Sequence, residues 1–75
     1  MAISLRRQFG IRLKTIRAER KLTQEQFSEL VGISVDFLSL IERGINAPSF
    51  EVLEQMRAGL KMPVWELFDF RRSPR

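Results

Sequence analysis

The sequence has no cysteine, no histidine and no tyrosine among its 75 residues. The lack of cysteine excludes disulfides and thiolate nucleophiles, and the lack of both cysteine and histidine excludes the ligand sets of zinc fingers. Histidine is also the most frequent general base, so any catalysis would depend on carboxylates, amines and hydroxyls. We therefore expect a protein that is not an enzyme and that uses no cofactor and no metal.

Long apolar runs are absent from the sequence as well. No stretch approaches the roughly 20 residues that a membrane span needs, and the N-terminal residues lack the apolar segment of a signal peptide. We expect a cytoplasmic protein that does not bind membranes. The length allows one small domain, and its core is marginal because a chain of this size buries only about 60% of its unfolded surface.

The charged residues are distributed unevenly along the chain. The formal net charge is +4, from 13 basic and 9 acidic residues. Residues 1–21 contain seven basic residues and one acidic residue, residues 22–70 contain three basic and eight acidic residues, and residues 71–75 contain three arginines. A basic balance indicates an anionic partner. This distribution requires that particular residues, rather than the whole surface, contact that partner.

Apolar periodicity and capping residues predict five short helices. The first helix is expected over about residues 4–21, with its basic side chains mostly solvated. Its apolar stripe consists of Leu5, Phe9, Leu13 and Ile16. A fourth helix is expected from Ser49 to about Leu60, and Pro63 opens a fifth that extends to about Phe68. The domain is expected to span residues 1–70, with residues from Asp69 onward frayed and a basic tail over 71–75 that contains Arg71, Arg72 and Arg75.

The second and third helices are separated by a tight turn. Thr23 and Gln26 form a capping box at the start of the second helix, which extends over about residues 23–31. Gly32 suits the left-handed conformation that ends a helix, and Ser34 caps a third helix that extends to about residue 43. The residues expected in the core are Phe27, Leu30 and Val31 from the second helix and Leu38 and Ile41 from the third.

Two helices joined by a short turn that contains glycine are typical of the helix-turn-helix motif. The chain resembles the xenobiotic-response-element (XRE) family of helix-turn-helix proteins, which includes the lambdoid phage repressors, Cro and the controller proteins of restriction–modification systems. The resemblance covers residues 9–68 and rests on the segments LTQEQ, LVGIS, LSLIERG and WELF, which occur in the family order and spacing. It implies an all-α, compact, five-helix domain of the lambda-repressor type whose third helix enters the major groove of DNA.

The resemblance also implies which residues contact DNA. Gln24 corresponds to a family glutamine that binds a phosphate and braces the recognition helix, Arg43 corresponds to a phosphate-contacting position, and Asn46 is a second expected backbone contact. The residues expected to face base edges or the nearby backbone are Ser34, Val35, Asp36, Ser39 and Leu40. Arg17 and Glu42 correspond to a family ion pair between the first and third helices.

Most of these residues also have a simpler structural explanation. Gln24 is a suitable polar residue beside a helix cap, and Asp36 and Arg43 suit the two ends of the third helix dipole. Asn46 suits a turn whether or not it contacts DNA. The two apolar residues have alternatives of their own: the edge of the core for Val35, and a patch facing a protein partner for Leu40.

Three aromatic residues lie in or just after the predicted fifth helix: Trp65, Phe68 and Phe70. A helix this short cannot bury all of them, and large exposed apolar side chains mark interaction surfaces. We expect these residues to form the interface of a two-fold homodimer. The alternative is that Leu67 and Phe68 cap the core while Trp65 lies flat on the bundle.

Together these features predict a sequence-specific transcription regulator that binds double-stranded DNA as a homodimer at a pseudo-palindromic operator. The alternative hypothesis is a protein-interaction module, such as an antitoxin or adaptor, that contacts a protein partner through the apolar residues Val35, Phe37 and Leu40 of the third helix.

Overall fold

Five α-helices follow one another along the chain, and no strand occurs in residues 3–72, which are the residues that the computed structural model describes. The helices are α1 (Leu5–Glu19), α2 (Gln24–Val31), α3 (Val35–Glu42), α4 (Phe50–Leu60) and α5 (Val64–Leu67), and a 3-10 turn, Phe70–Arg72, follows them. None of these helices is long and apolar enough to span a membrane. The predicted all-α, five-helix architecture is confirmed.

Side-chain caps begin the four longer helices. The hydroxyls of Ser4, Thr23, Ser34 and Ser49 each accept a hydrogen bond from the backbone N–H three residues later, at 3.0 to 3.2 Å. The side-chain oxygen of Gln26 accepts in return from the N–H of Thr23 at 2.9 Å, which completes the predicted capping box. Because each cap satisfies a donor that the helix itself leaves free, the local sequence determines where these helices begin.

The core lies where the helices meet. Helix α1 packs on α3, α2 packs on both α3 and α4, and α5 closes the core against α4 and α1. The buried apolar side chains are Phe9, Leu13, Ile16, Phe27, Val31, Leu38, Ile41, Leu53, Met56, Leu60 and Leu67.

Glycine allows α1 to approach α3 closely. A Cβ atom on Gly10 would collide with the carbonyl oxygen of Ile41 and would lie 2.7 Å from the carbonyl oxygen of Glu42. A glycine inside a helix costs about 1 kcal/mol relative to alanine. Here its missing side chain allows the two helix backbones to touch. The contact fixes the position of the C-terminal turn of α3 on α1.

Two residues that the sequence assigned to the core are exposed, Leu5 by 61% and Leu30 by 46%. Leu5 is the first residue of α1. On α2, Ser28 takes the inward position instead of Leu30, and its hydroxyl donates to the carbonyl of Ser34 at 3.4 Å. Both predictions were wrong because periodicity identifies one face of a helix but not how far its neighbours cover that face.

Arg12 is buried, with 2% of its surface exposed, whereas the basic side chains of the first helix were expected to be mostly solvated. It lies three residues after Phe9 and four before Ile16, on the side of α1 that faces the core. Its Nε donates to the carbonyl of Glu66 at 3.0 Å, which ties α1 to α5. Its Nη1 is buried and has no hydrogen-bond partner within residues 3–72.

The chain after α5 is folded rather than frayed as far as Arg72. The 3-10 turn packs on α1, and the side chain of Asp69 is only 7% exposed. Both carboxylate oxygens of Asp69 accept hydrogen bonds from Arg71, at 3.0 and 3.4 Å, and these bonds together with the charge of Arg71 hold the pKa of Asp69 below its ordinary value. Arg71 and Arg72 therefore belong to the fold, and Arg75 lies outside the described residues.

Candidate nucleic-acid interface

The turn between α2 and α3 is held from several sides. The backbone N–H groups of Gly32 and Ile33 both donate to the carbonyl of Ser28, at 2.8 and 3.0 Å. From α4, the side-chain amide of Gln55 donates to the carbonyls of Val31 and Gly32, at 3.2 and 3.0 Å. Gly32 has a φ of 79°, the left-handed conformation predicted for it. These bonds fix the direction in which α3 leaves the turn.

Helix α3 has one buried face and one outer face. Leu38 and Ile41 are completely buried, and Phe37 packs against the core. The residues that the sequence assigned to DNA contact lie elsewhere on the helix and around it. Ser34, Asp36, Arg43 and Asn46 are exposed, and Gln24, Val35, Ser39 and Leu40 are half-buried.

A network of three polar side chains joins α1, α2 and α3. Arg17 donates to both carboxylate oxygens of Glu42, from Nε at 2.7 Å and from Nη2 at 3.2 Å. Its Nη1 donates to the carbonyl of Leu22 at 2.9 Å. Gln24 donates from Nε2 to Oε1 of Glu42 at 3.1 Å. The start of α2 is thus fastened to the end of α3 through Glu42, whose side chain is only 4% exposed.

The aromatic residues near α5 divide between the surface and the core. Trp65 is 61% exposed, so most of its surface faces solvent. The ring of Phe68, which is 37% exposed, lies 5.0 Å from the ring of Phe9 and 6.1 Å from that of Phe70. Phe70 is half-buried. Trp65 is therefore mostly exposed, whereas Phe68 packs against Phe9 and Phe70.

Sequence reasoning missed one aromatic residue, Phe50, which is 86% exposed at the first position of α4. With Val64 and Phe68 it lines a groove of about 440 Å³ between α4 and α5. We call Phe50, Val64, Trp65 and Phe68 the aromatic patch. The sequence did contain a signal for this residue. Phe50 is not among the apolar residues through which α4 packs on the core, so a large aromatic side chain had no place in the core.

The chain matches the family model HTH_3, described as helix-turn-helix, over residues 13–64. It is 44% identical over 55 residues to the immunity repressor protein of Bacillus phage phi105, an alignment that covers 73% of this chain and 38% of the repressor, so the chain spans well under half of that protein. It is 36% identical over 59 residues to the uncharacterized HTH-type transcriptional regulator YazB of Bacillus subtilis, which covers 79% of this chain and 86% of YazB.

A solved structure has the same fold. The restriction-modification controller protein C.AhdI from Aeromonas hydrophila superposes with a TM-score of 0.79 at 28% identity, over 84% of this chain and 96% of that one. The family model covers well over half of this chain and includes the turn, the outer face of α3 and the network around Glu42. The chain therefore belongs to the HTH_3, or XRE, family of helix-turn-helix proteins, which are DNA-binding regulators of transcription.

Proposed function

We propose that this protein binds double-stranded DNA as a homodimer, at a pseudo-palindromic operator, and regulates transcription there. The outer face of α3 carries the proposal, because it is presented on a capped helix whose far end is fastened to α1 and α2 through Glu42. The names of two relatives, an immunity repressor and a transcriptional regulator, support the regulatory role.

In this proposal the outer face of α3 lies in the major groove. Val35 contacts a thymine methyl group, and Asp36 accepts a hydrogen bond from the amino group of a cytosine. Ser39 and Leu40 lie one turn further along the helix and face the next base edges or the adjacent sugars. Ser34 approaches the backbone where the helix begins.

The phosphate contacts come from the residues around α3. Gln24 lies at the start of α2, where the backbone N–H groups of the first turn and the helix dipole both favour an anion. Arg43 follows the last turn of α3, and Asn46 is exposed in the loop after it. Such contacts set the position and register of the protein on DNA and carry no base information.

The homodimer uses the aromatic patch, which adds Phe50 and Val64 to the predicted interface residues Trp65 and Phe68. Large exposed apolar surfaces of this kind are typical of contact sites. Phe70 supports Phe68 from below. A two-fold axis through the patch would present two recognition helices to half-sites one helical turn apart, about 34 Å.

Selection of bound sequences from random double-stranded DNA tests the DNA-binding proposal. We expect enrichment of two related half-sites with centres about 10 base pairs apart. Arg43→Gln should then weaken binding to all sequences alike, whereas Ser39→Ala should change the preference among them. Recovery of no preferred sequence would contradict the proposal.

Sedimentation equilibrium of patch variants tests the homodimer. We expect Trp65→Glu and Phe50→Glu to be monomers, because each places a charge in a surface that must lose water. Leu30→Glu is the matched control, since Leu30 is also an exposed apolar residue but lies outside the patch. A Trp65→Glu protein that dimerises as strongly as the control would refute the interface.

The alternative, a module that binds a protein partner through α3, is less well supported by the structure. Of the three apolar residues on which it depends, Phe37 packs against the core and Val35 and Leu40 are half-buried. This leaves too little exposed apolar surface on α3 to favour a protein partner over DNA.

A further inference from the structure

We propose that a basic groove between α1 and the end of α3 is a second phosphate-binding surface, which holds the DNA backbone beside the recognition helix. This inference rests on the proposed function. The basic groove has a volume of about 580 Å³ and is lined by three cationic side chains, those of Arg7 and Lys14 from α1 and Arg43 from the end of α3. Ile11 and Ala18 also line the groove.

The three cations of the basic groove are free to bind an anion. Within residues 3–72, Arg7, Lys14 and Arg43 make neither an ion pair nor a side-chain hydrogen bond, and all three are exposed. Most of the other described arginines are engaged. Ion pairs occupy Arg17, Arg57 and Arg71, and backbone carbonyls accept hydrogen bonds from Arg6, Arg12 and Arg20.

Glu42, which is the one acidic residue of the described chain that lines the basic groove, cannot neutralise it. Glu42 is paired with Arg17 through both carboxylate oxygens and accepts a third hydrogen bond from Gln24. With its side chain only 4% exposed, its charge is already compensated inside the fold. The groove therefore keeps the positive potential of Arg7, Lys14 and Arg43, which favours an anionic occupant.

The spacing of the cations suits a polyanion better than a single small anion. Arg7 and Lys14 lie seven residues apart on one face of α1, which separates them by about 10.5 Å along the helix axis. Phosphates of one DNA strand advance by about 3.4 Å each along the duplex axis, so residues this far apart on a helix can reach separate phosphates of one strand. Arg43 belongs both to the groove and to the end of α3, so a strand that borders the major groove at α3 would continue past Arg43 onto α1.

The salt dependence of operator binding tests the basic groove. In the dimer, Lys14→Gln or Arg7→Gln removes two phosphate contacts, which should make the slope of log K against log salt shallower by about 1.8. Between 50 and 200 mM salt, the wild-type affinity should therefore fall about 12-fold more than that of either variant. Fluorescence anisotropy with the selected operator and with a random duplex measures both quantities, and thermal unfolding verifies that these exposed substitutions leave the fold intact.

Lys61→Asn is the matched control. It also removes one positive charge, Lys61 does not line the groove, and asparagine tolerates the left-handed conformation that Lys61 adopts at φ 55°. We expect the control to keep the wild-type slope, and the groove variants to lose affinity for operator and random DNA by the same factor.

The outcomes separate the two proposals. Groove variants whose slopes equal those of Lys61→Asn, while the wild-type protein binds its operator, would overturn the basic groove and leave the proposed function standing. A wild-type protein that binds neither duplex would overturn both.

Discussion

The substitution Glu42→Gln should reveal how far the domain depends on its polar network. The carboxylate of Glu42 accepts hydrogen bonds from Arg17 Nε at 2.7 Å, Arg17 Nη2 at 3.2 Å and Gln24 Nε2 at 3.1 Å. Glutamine keeps one acceptor oxygen, but its NH₂ group would face the N–H donors of Arg17 and Gln24. Arg17 would then retain its charge in a site where its side chain is 16% exposed and has no anion.

We expect Glu42→Gln to lower the free energy of unfolding by about 3 kcal/mol. Removal of one partner from a buried ion pair costs about 3–5 kcal/mol. The lower end applies because Arg17 keeps some contact with water and its hydrogen bond to the carbonyl of Leu22 at 2.9 Å. A domain of this length has a total stability of about 4–11 kcal/mol, so this loss is a large part of it. For a small domain a loss of about 3 kcal/mol lowers the unfolding midpoint by about 12–24 °C.

Urea unfolding followed by circular dichroism measures this loss. Glu54→Gln is the control, since Glu54 pairs with Arg57 at an exposed site, where an ion pair contributes about 1 kcal/mol at most. A double-mutant cycle with Arg17→Gln tests the pairing. The double variant should lose at least about 1 kcal/mol less than the sum of the two single losses, because both substitutions remove the same interaction. A loss no larger than that of Glu54→Gln, or an additive cycle, would refute the reasoning.

Four further substitutions test other parts of the structure. Gly10→Ala should lower the free energy of unfolding by about 1–3 kcal/mol in urea titrations despite its better helix propensity, because the added methyl group collides with α3. Leu5→Gln should change stability by less than about 0.5 kcal/mol in the same assay, whereas Leu13→Ala should cost about 2–5 kcal/mol, since Leu5 is exposed and Leu13 is not. Arg71→Gln should raise the pKa of Asp69, as followed by NMR titration of its carboxyl carbon. Because the folded pKa of Asp69 is lowered, its contribution to stability is present above the unfolded pKa and disappears as the pH falls through the folded value, and the substitution should shrink this acid-side loss.

The helices could be predicted from the sequence because their signals are local. Ser34 and Ser49 cap helices through hydrogen bonds that reach only three residues along the chain. The Thr23 and Gln26 box is equally local, and the left-handed Gly32 follows from the chemistry of one residue. The predicted boundaries of α2 and α3 consequently agree with the structure to within one or two residues.

The errors concern burial, which depends on residues that are distant in sequence. Arg12 lies on the same face of α1 as Phe9 and Ile16, so its position was open to prediction. Its burial also depends on the carbonyl of Glu66, which accepts its hydrogen bond at 3.0 Å although Glu66 lies 54 residues further along the chain. Leu30 has the hydrophobicity of a core residue, but the turn and α3 lie against the Ser28 side of α2.

The candidate site shows the same division. The motif predicts which residues lie on α3, since spacing along the chain determines the face of a helix. It does not predict that Gln55 of α4 donates to the carbonyls at the end of α2, or that Arg7 and Lys14 stand beside Arg43. Both facts depend on how helices that are far apart in sequence pack together.

The modest net charge of +4 is compatible with firm DNA binding if charge placement, rather than total charge, determines the affinity. Acidic residues pair with several of the arginines, while Arg7, Lys14 and Arg43 have no ion-pair partner among residues 3–72. Three cationic phosphate contacts from one protomer would give a slope of about −2.7 for log K against log salt, and a dimer would double it to about −5.4. Between 50 and 200 mM salt, the dimer would then lose affinity by about three orders of magnitude and a monomer by about the square root of that factor. The aromatic patch and the basic groove are therefore coupled in this proposal, because the dimer doubles the number of phosphates that a lightly charged domain can hold.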